Sequence, residues 1–213
     1  MPSSTGPSDQ MPKKSPYGVH PGVAMTIQWV KDLPAKTGKS LDEWMKTIEK
    51  QKLKTEKERA EYLKKICGLG TNYAGWLAAR SLGKGDEDLD PAAYLRSAVN
   101  WVEAMFASKP LIRPLYEKAL SLGLSLGKDV KVCPCKTMIP FYRNNVFAKL
   151  TPSTKTRLDL GMCLRGIPFS KRLTDTGGTA KKDRITHNIA ITKPEDFDDE
   201  LMKWFRKAYD MDE

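Results

Sequence analysis

The sequence predicts an α+β fold: a small N-terminal helical bundle followed by an antiparallel sheet packed by helices. Three observations predict it. Apolar residues recur at helical spacing from Val23 to about Leu126, and beyond Thr137 the apolar period shortens to that of a strand. A polar, acidic, glycine-bearing run from Gly83 to Asp90 separates two stretches of ordinary core composition. The expected organisation is a disordered tail over 1–22, a helical module over 23–83, a linker over 84–90 and an α+β domain over 91–213.

Each element has a local cause. The opening segment is rich in Pro, Ser and Gly and lacks the apolar core of a secretory signal, so it reads as a tail and the chain as cytoplasmic. Ser40 to Glu43 and Thr55 to Glu58 spell capping boxes. Each is followed by apolar residues at helical spacing: Trp44, Met45 and Ile48 after the first, Ala60, Leu63 and Ile66 after the second. Gly68 suits a helix stop, and Thr71 is the expected cap of a fourth helix bearing Tyr73, Ala74, Trp76 and Leu77. Asp90–Pro91 is a strong helix start, and Lys109–Pro110 opens another helix.

The strands come next. Thr137 to Arg143 and Val146 to Leu150 flank Asn144–Asn145, a two-residue turn suited to a hairpin. From Thr156 to Arg165 the chain alternates. Leu158, Leu160, Met162 and Leu164 take one face; Arg157, Asp159, Gly161, Cys163 and Arg165 take the other. Arg184 to Ile191 is a further strand with Ile185, His187, Ile189 and Ile191 on one face. The loop from Ser170 to Lys182 is expected to be mobile. A last amphipathic helix carries Leu201, Trp204, Phe205 and Ala208.

Charge is distributed unevenly. Lys128 to Lys193 holds 14 Lys and Arg against 4 Asp and Glu, a net of +10. The whole chain is also +10 (36 minus 26), so everything outside that stretch sums to zero. Such an excess is the footprint of an anionic partner, nucleic acid being the commonest. The candidate anion-binding groups are Arg143, Lys149, Lys155, Arg157, Arg165, Lys171, Arg172, Lys181, Lys182 and Arg184, on the strands and the loops that join them. The competing reading is a solvated face paired with the acidic segment Glu195 to Glu200.

Two further constellations draw notice. Gly68, Gly70 and Thr71 lie between helices in a Gly-x-Gly-x-x-x-Ala pattern similar to the helix-hairpin-helix element, where backbone N–H groups meet a phosphate. The same letters also spell an ordinary helix stop and start. Cys133, Cys135, Cys163 and His187 are the residue types of a zinc site, but Cys133 and Cys135 stand one residue apart rather than the usual two to four. Packed thiols and a hydrogen-bonded histidine are the simpler reading, so no metal and no cofactor are expected. No Gly-x-Ser-x-Gly, phosphate-binding loop or His/Glu metal signature occurs, and no apolar run approaches the ~18 residues of a spanning helix. Neither catalysis nor a membrane is indicated.

The stretches Ile27 to Val30, Thr37 to Trp44 and Gly68 to Ala74 resemble a small uncharacterised bacterial helical module. Leu115 to Leu120, Phe147 to Ser153, Thr156 to Gly161, Thr186–His187 and Lys207 to Tyr209 resemble a second uncharacterised domain that often follows it. That second domain is sometimes labelled a predicted transport protein, and related domains occur attached to restriction-type nucleases. The resemblance implies a nucleic-acid context and assigns no catalytic residues. The expectation is a non-enzymatic accessory protein that binds nucleic acid through a basic sheet face. The alternative is a module for a protein partner or a small anionic ligand.

Overall fold

The structure is a computed structural model and describes residues 15–213. It has two compact units, Val19–Ala98 and Val99–Glu213, the second joined by the described residues up to Gly18. The division falls inside one helix. No helix among the described residues is long and apolar enough to cross a membrane.

The first unit is helical. Helices α1 (Pro21–Thr37), α2 (Leu41–Glu49), α3 (Glu56–Lys65) and α4 (Thr71–Arg80) precede α5 (Pro91–Phe106). Both capping boxes form. The Ser40 and Thr55 side chains accept from the backbone N–H of Glu43 and Glu58, whose carboxylates accept from the cap backbones in return. The core gathers Leu33, Trp44, Ile48, Leu63, Ala74, Leu77 and Ala78. Two details differ from expectation. Gly70, extended at φ −61° and ψ 154°, is the cap of α4, so Thr71 is its first helical residue. The tail also ends early. Met1–Lys14 lie outside the described residues, but α1 already begins at Pro21, with His20 Nδ1 accepting from the Gly22 N–H. Within the second unit, the Tyr17 hydroxyl meets that of Tyr116 at 2.7 Å, and Gly18 N–H donates to the Val132 carbonyl.

The second unit is a six-stranded antiparallel sheet covered by helices. Its strands are β1 (Lys131–Val132), β2 (Ile139–Tyr142), β3 (Val146–Thr151), β4 (Leu158–Met162), β5 (Thr174–Asp175) and β6 (His187–Ile191), in the order β1-β2-β3-β4-β6-β5. Helices α6 (Arg113–Ser125) and α7 (Asp199–Asp210) complete it. Ala148, Met162 and His187 stand opposite one another across three strands, as do Lys149, Gly161 and Asn188. The first row therefore faces the core and the second faces out. Leu158, Leu160, Met162, Leu164, Ile189 and Ile191 are all fully buried, as the alternation of the sequence requires. Phe205 of α7 meets Phe141 edge-on at 5.5 Å, and Phe147, at a register shift in the β2–β3 hairpin, turns to the same cluster.

The loop expected to be mobile is anchored. Leu173 is fully buried, β5 adds the sheet's edge, and Thr176 N–H donates to the Thr186 carbonyl.

Gly123 of α6 is a packing glycine. A Cβ there would stand 2.2 Å from Cε1 of the buried Phe141 ring. Gly123→Ala is expected to destabilise this unit by about 1–2 kcal/mol in urea unfolding, because overpacking outweighs the helix propensity that alanine adds.

Candidate functional site

The ten cations expected on the sheet separate into two groups. Four arginines are held by carboxylates. Arg143 donates to Asp129 at 2.9 Å and stacks over the Tyr209 ring, 4.5 Å from its centroid. Arg157 reaches Asp159 at 3.2 Å. Arg172 engages Asp198, Glu200 at 3.2 Å and the Asp196 carbonyl. Arg184 pairs with Asp212, which is 2% exposed, and its Nε donates to the Val146 carbonyl at 2.8 Å. Asp212 also accepts from the Asn145 backbone N–H at 2.8 Å and from its side-chain amide at 3.2 Å. Arg184 and Asp212 thus tie the β2–β3 turn, the start of β6 and the chain end together.

The other six, Lys149, Lys155, Arg165, Lys171, Lys181 and Lys182, have no carboxylate of the described residues within ion-pair distance. Of all ten, Lys149 alone lies on a strand; Arg143, Arg157, Arg165 and Arg184 fall just outside because β2, β4 and β6 are shorter than the alternation predicts, and the other five stand on connecting loops as expected. Antiparallel pairing settles which end of the sheet they occupy. Arg165 follows Met162, and Lys181 and Lys182 precede His187, which is opposite Met162. Those three sit at one end. Lys155 lies in the β3–β4 turn at the other.

Two clefts bracket this arrangement. The first, of about 260 Å³, lies on the outer sheet face and is lined by Lys149, Thr151, Asp159, Gly161, Asp175 and Asn188 among others. A Cβ on Gly161 would be 2.8 Å from an Ile185 methyl and 3.3 Å from Lys149 Cγ, so the lysine stem lies across this glycine. The second, of about 440 Å³, is lined by Arg165, Gly166, Thr179, Lys182, Asp183 and Thr186.

The turn at Gly68, Gly70 and Thr71 belongs to the helical unit. Gly68 has φ +71°, the left-handed conformation that ends α3. Lys64 and Lys65 beside it both meet Glu61, at 3.4 and 2.6 Å. Trp29, Gly70, Thr71, Asn72 and Tyr73 line a separate cleft there, with Trp29 and Tyr73 5.2 Å apart.

Cys133, Cys135, Cys163 and His187 do not assemble. Among the described residues no group of three or more His, Cys, Asp and Glu is arranged to hold a metal. His187 Nδ1 meets the Thr186 hydroxyl at 2.8 Å and Nε2 the Ile167 carbonyl at 3.0 Å, so both ring nitrogens are engaged. All four cysteines are unbridged, and burial pushes the Cys133 thiol up to about 12 and raises Cys135. At neutral pH both are protonated thiols, poor nucleophiles and poor ligands.

Two of the arginine-paired carboxylates, Asp129 and Asp198, titrate low. Hydrogen bonds from Tyr209 and then Arg143 hold Asp129 below the ordinary aspartate range, and Arg172 does the same for Asp198. A depressed folded value contributes stability that is present above the unfolded value of about 4 and lost as pH falls through the folded one. Carboxyl-carbon NMR is expected to show both groups still ionised at about pH 4, and the urea midpoint to decline only below that.

Sequence comparison supplies the family. Residues 102–212, just over half of the chain, match a model described as a domain of unknown function, DUF5655. Residues 28–82 match a second domain of unknown function, DUF4287. No curated protein and no solved structure matches. The order, a helical module and then an α+β domain, agrees with the resemblance in the sequence, and neither description names an activity. The chain therefore belongs to the DUF5655 family and carries a DUF4287 domain ahead of it.

Proposed function

We propose that this protein is a non-enzymatic accessory that holds nucleic acid by its phosphates, through the unpaired cations of the α+β unit. One observation carries the reading. Lys149, Lys155, Arg165, Lys171, Lys181 and Lys182 lack carboxylate partners among the described residues, in a stretch of net charge +10, while the other four arginines of the ten serve the fold. Cations without internal partners are available to displace counterions from a polyanion.

Their distribution favours a polymer over a metabolite. The six do not converge on one concavity. The sheet cleft holds one of them beside two carboxylates, Asp159 and Asp175, and the end cleft holds Arg165 and Lys182 with Asp183. A small anion would find no concentrated positive pocket, whereas a chain of phosphates can meet well-separated cations in turn.

Fluorescence anisotropy of the full chain with labelled DNA tests the proposal. Six phosphate contacts predict binding at low salt that weakens by about three orders of magnitude between roughly 50 and 200 mM. Absence of binding at low salt removes the proposal.

A further inference from the structure

We infer that the Arg165–Lys182 cleft and the neighbouring Phe169 ring form a subsite for single-stranded nucleic acid, a phosphate in the cleft and an unpaired base on the ring. The inference rests on the phosphate-binding reading above and narrows its ligand.

Phe169 is 48% exposed, and it is the sole aromatic among the exposed large hydrophobic side chains of the described residues. It stands in the β4–β5 connection, three residues beyond Gly166, which lines the cleft. One side of its ring lies on His187, centroids 4.5 Å apart and planes inclined by 38°. His187 is itself fixed: Thr186, another cleft residue, holds one nitrogen and the Ile167 carbonyl the other. The aromatic surface and the cleft are therefore joined through a single bonded pair, Thr186 and His187. A ring held from beneath offers a flat apolar face at little further entropic cost.

The cleft supplies the opposite chemistry. Arg165 makes one long bond to the Asp183 carbonyl, 3.4 Å, leaving most of its donors open, and Lys182 has no acid partner among the described residues. Gly166, at φ +81°, has nothing within 4 Å of where a Cβ would be, so its backbone is open to close approach. Lys181 adjoins at the same end of the sheet. Cations for the backbone beside a π-face for the base are the two parts of a single-strand platform. A duplex can use only the first, because its bases are already stacked on each other.

The test compares the full chain, by anisotropy at matched salt, on a single-stranded DNA, a single-stranded RNA and the corresponding duplex. Single strands are expected to bind more tightly than duplex. Phe169→Ala should weaken them about five- to hundredfold, the range of one lost base–aromatic stack, with the salt slope and duplex binding unchanged. Phe169→Leu, which keeps an apolar cover on His187, should lose the single-strand preference equally and so separates stacking from folding. A preference between the DNA and RNA strands would identify the source of the ligand. If wild type shows no single-strand preference, or if both variants retain it, the subsite is wrong while salt-sensitive phosphate binding still stands. If wild type binds none of the three, both fall.

Discussion

Arg184→Met is expected to lower the unfolding free energy of the α+β unit by about 2 kcal/mol, because it removes the half-exposed partner of an ion pair and leaves the buried one charged. The cause is Asp212. It is 2% exposed, and its charge is balanced by Arg184 and by donors from Asn145. Without the guanidinium, a carboxylate near the chain end must either protonate or drag water into the β2–β3 turn. Asp212→Asn should cost less, since an amide oxygen still accepts from the Asn145 N–H and no buried charge remains. Urea unfolding of the two variants measures the difference. Equal losses would show that the charge is immaterial and that only the hydrogen-bond geometry matters.

The second large effect is on binding. Arg165→Ala, Lys181→Ala and Lys182→Ala combined should weaken nucleic-acid affinity at low salt by at least a hundredfold, about 1 kcal/mol or more for each phosphate contact. Among the described residues these three make no ion pair, so fold stability should move by less than about 1 kcal/mol. Arg172→Ala should behave in the opposite way. Its guanidinium is committed to Asp198, Glu200 and the Asp196 carbonyl, so removing it loosens the start of α7 and spares affinity. Two opposite patterns, binding without stability and stability without binding, distinguish a functional cation from a structural one.

Much of this fold was legible in local sequence because its causes are local. Ser40 with Glu43 and Thr55 with Glu58 specify helix starts through bonds three residues long. Asn144–Asn145 joins two alternating runs, and the hairpin forms there, though its connection takes in Arg143 as well and is three residues long rather than two. Strands β1 and β5 leave no mark in the sequence because two residues cannot display a period; their pairing partners alone define them. Order at Tyr17 is hidden for a related reason, since composition does not reveal that this residue finds Tyr116, 99 residues away.

The candidate site was half legible. Its residues were readable from charge density, but their partners were not. Asp129, Asp198 and Asp212 lie 14, 26 and 28 residues from the arginines they bind, beyond any helical or strand spacing. The acidic segment near Glu195 does quench a cation, as the competing reading held, yet it takes only Arg172 of the ten. Phe169 carried one faint signal, an aromatic between Pro168 and Ser170 outside any periodic run.

The most direct measurement is the slope of log affinity against log salt for wild type and for the Arg165, Lys181 and Lys182 triple variant on one duplex. Six phosphate contacts predict a wild-type slope near −5, made shallower by about 3 in the variant. A wild-type slope near zero, or one that the triple substitution leaves unchanged, would contradict the assignment of these cations to phosphates.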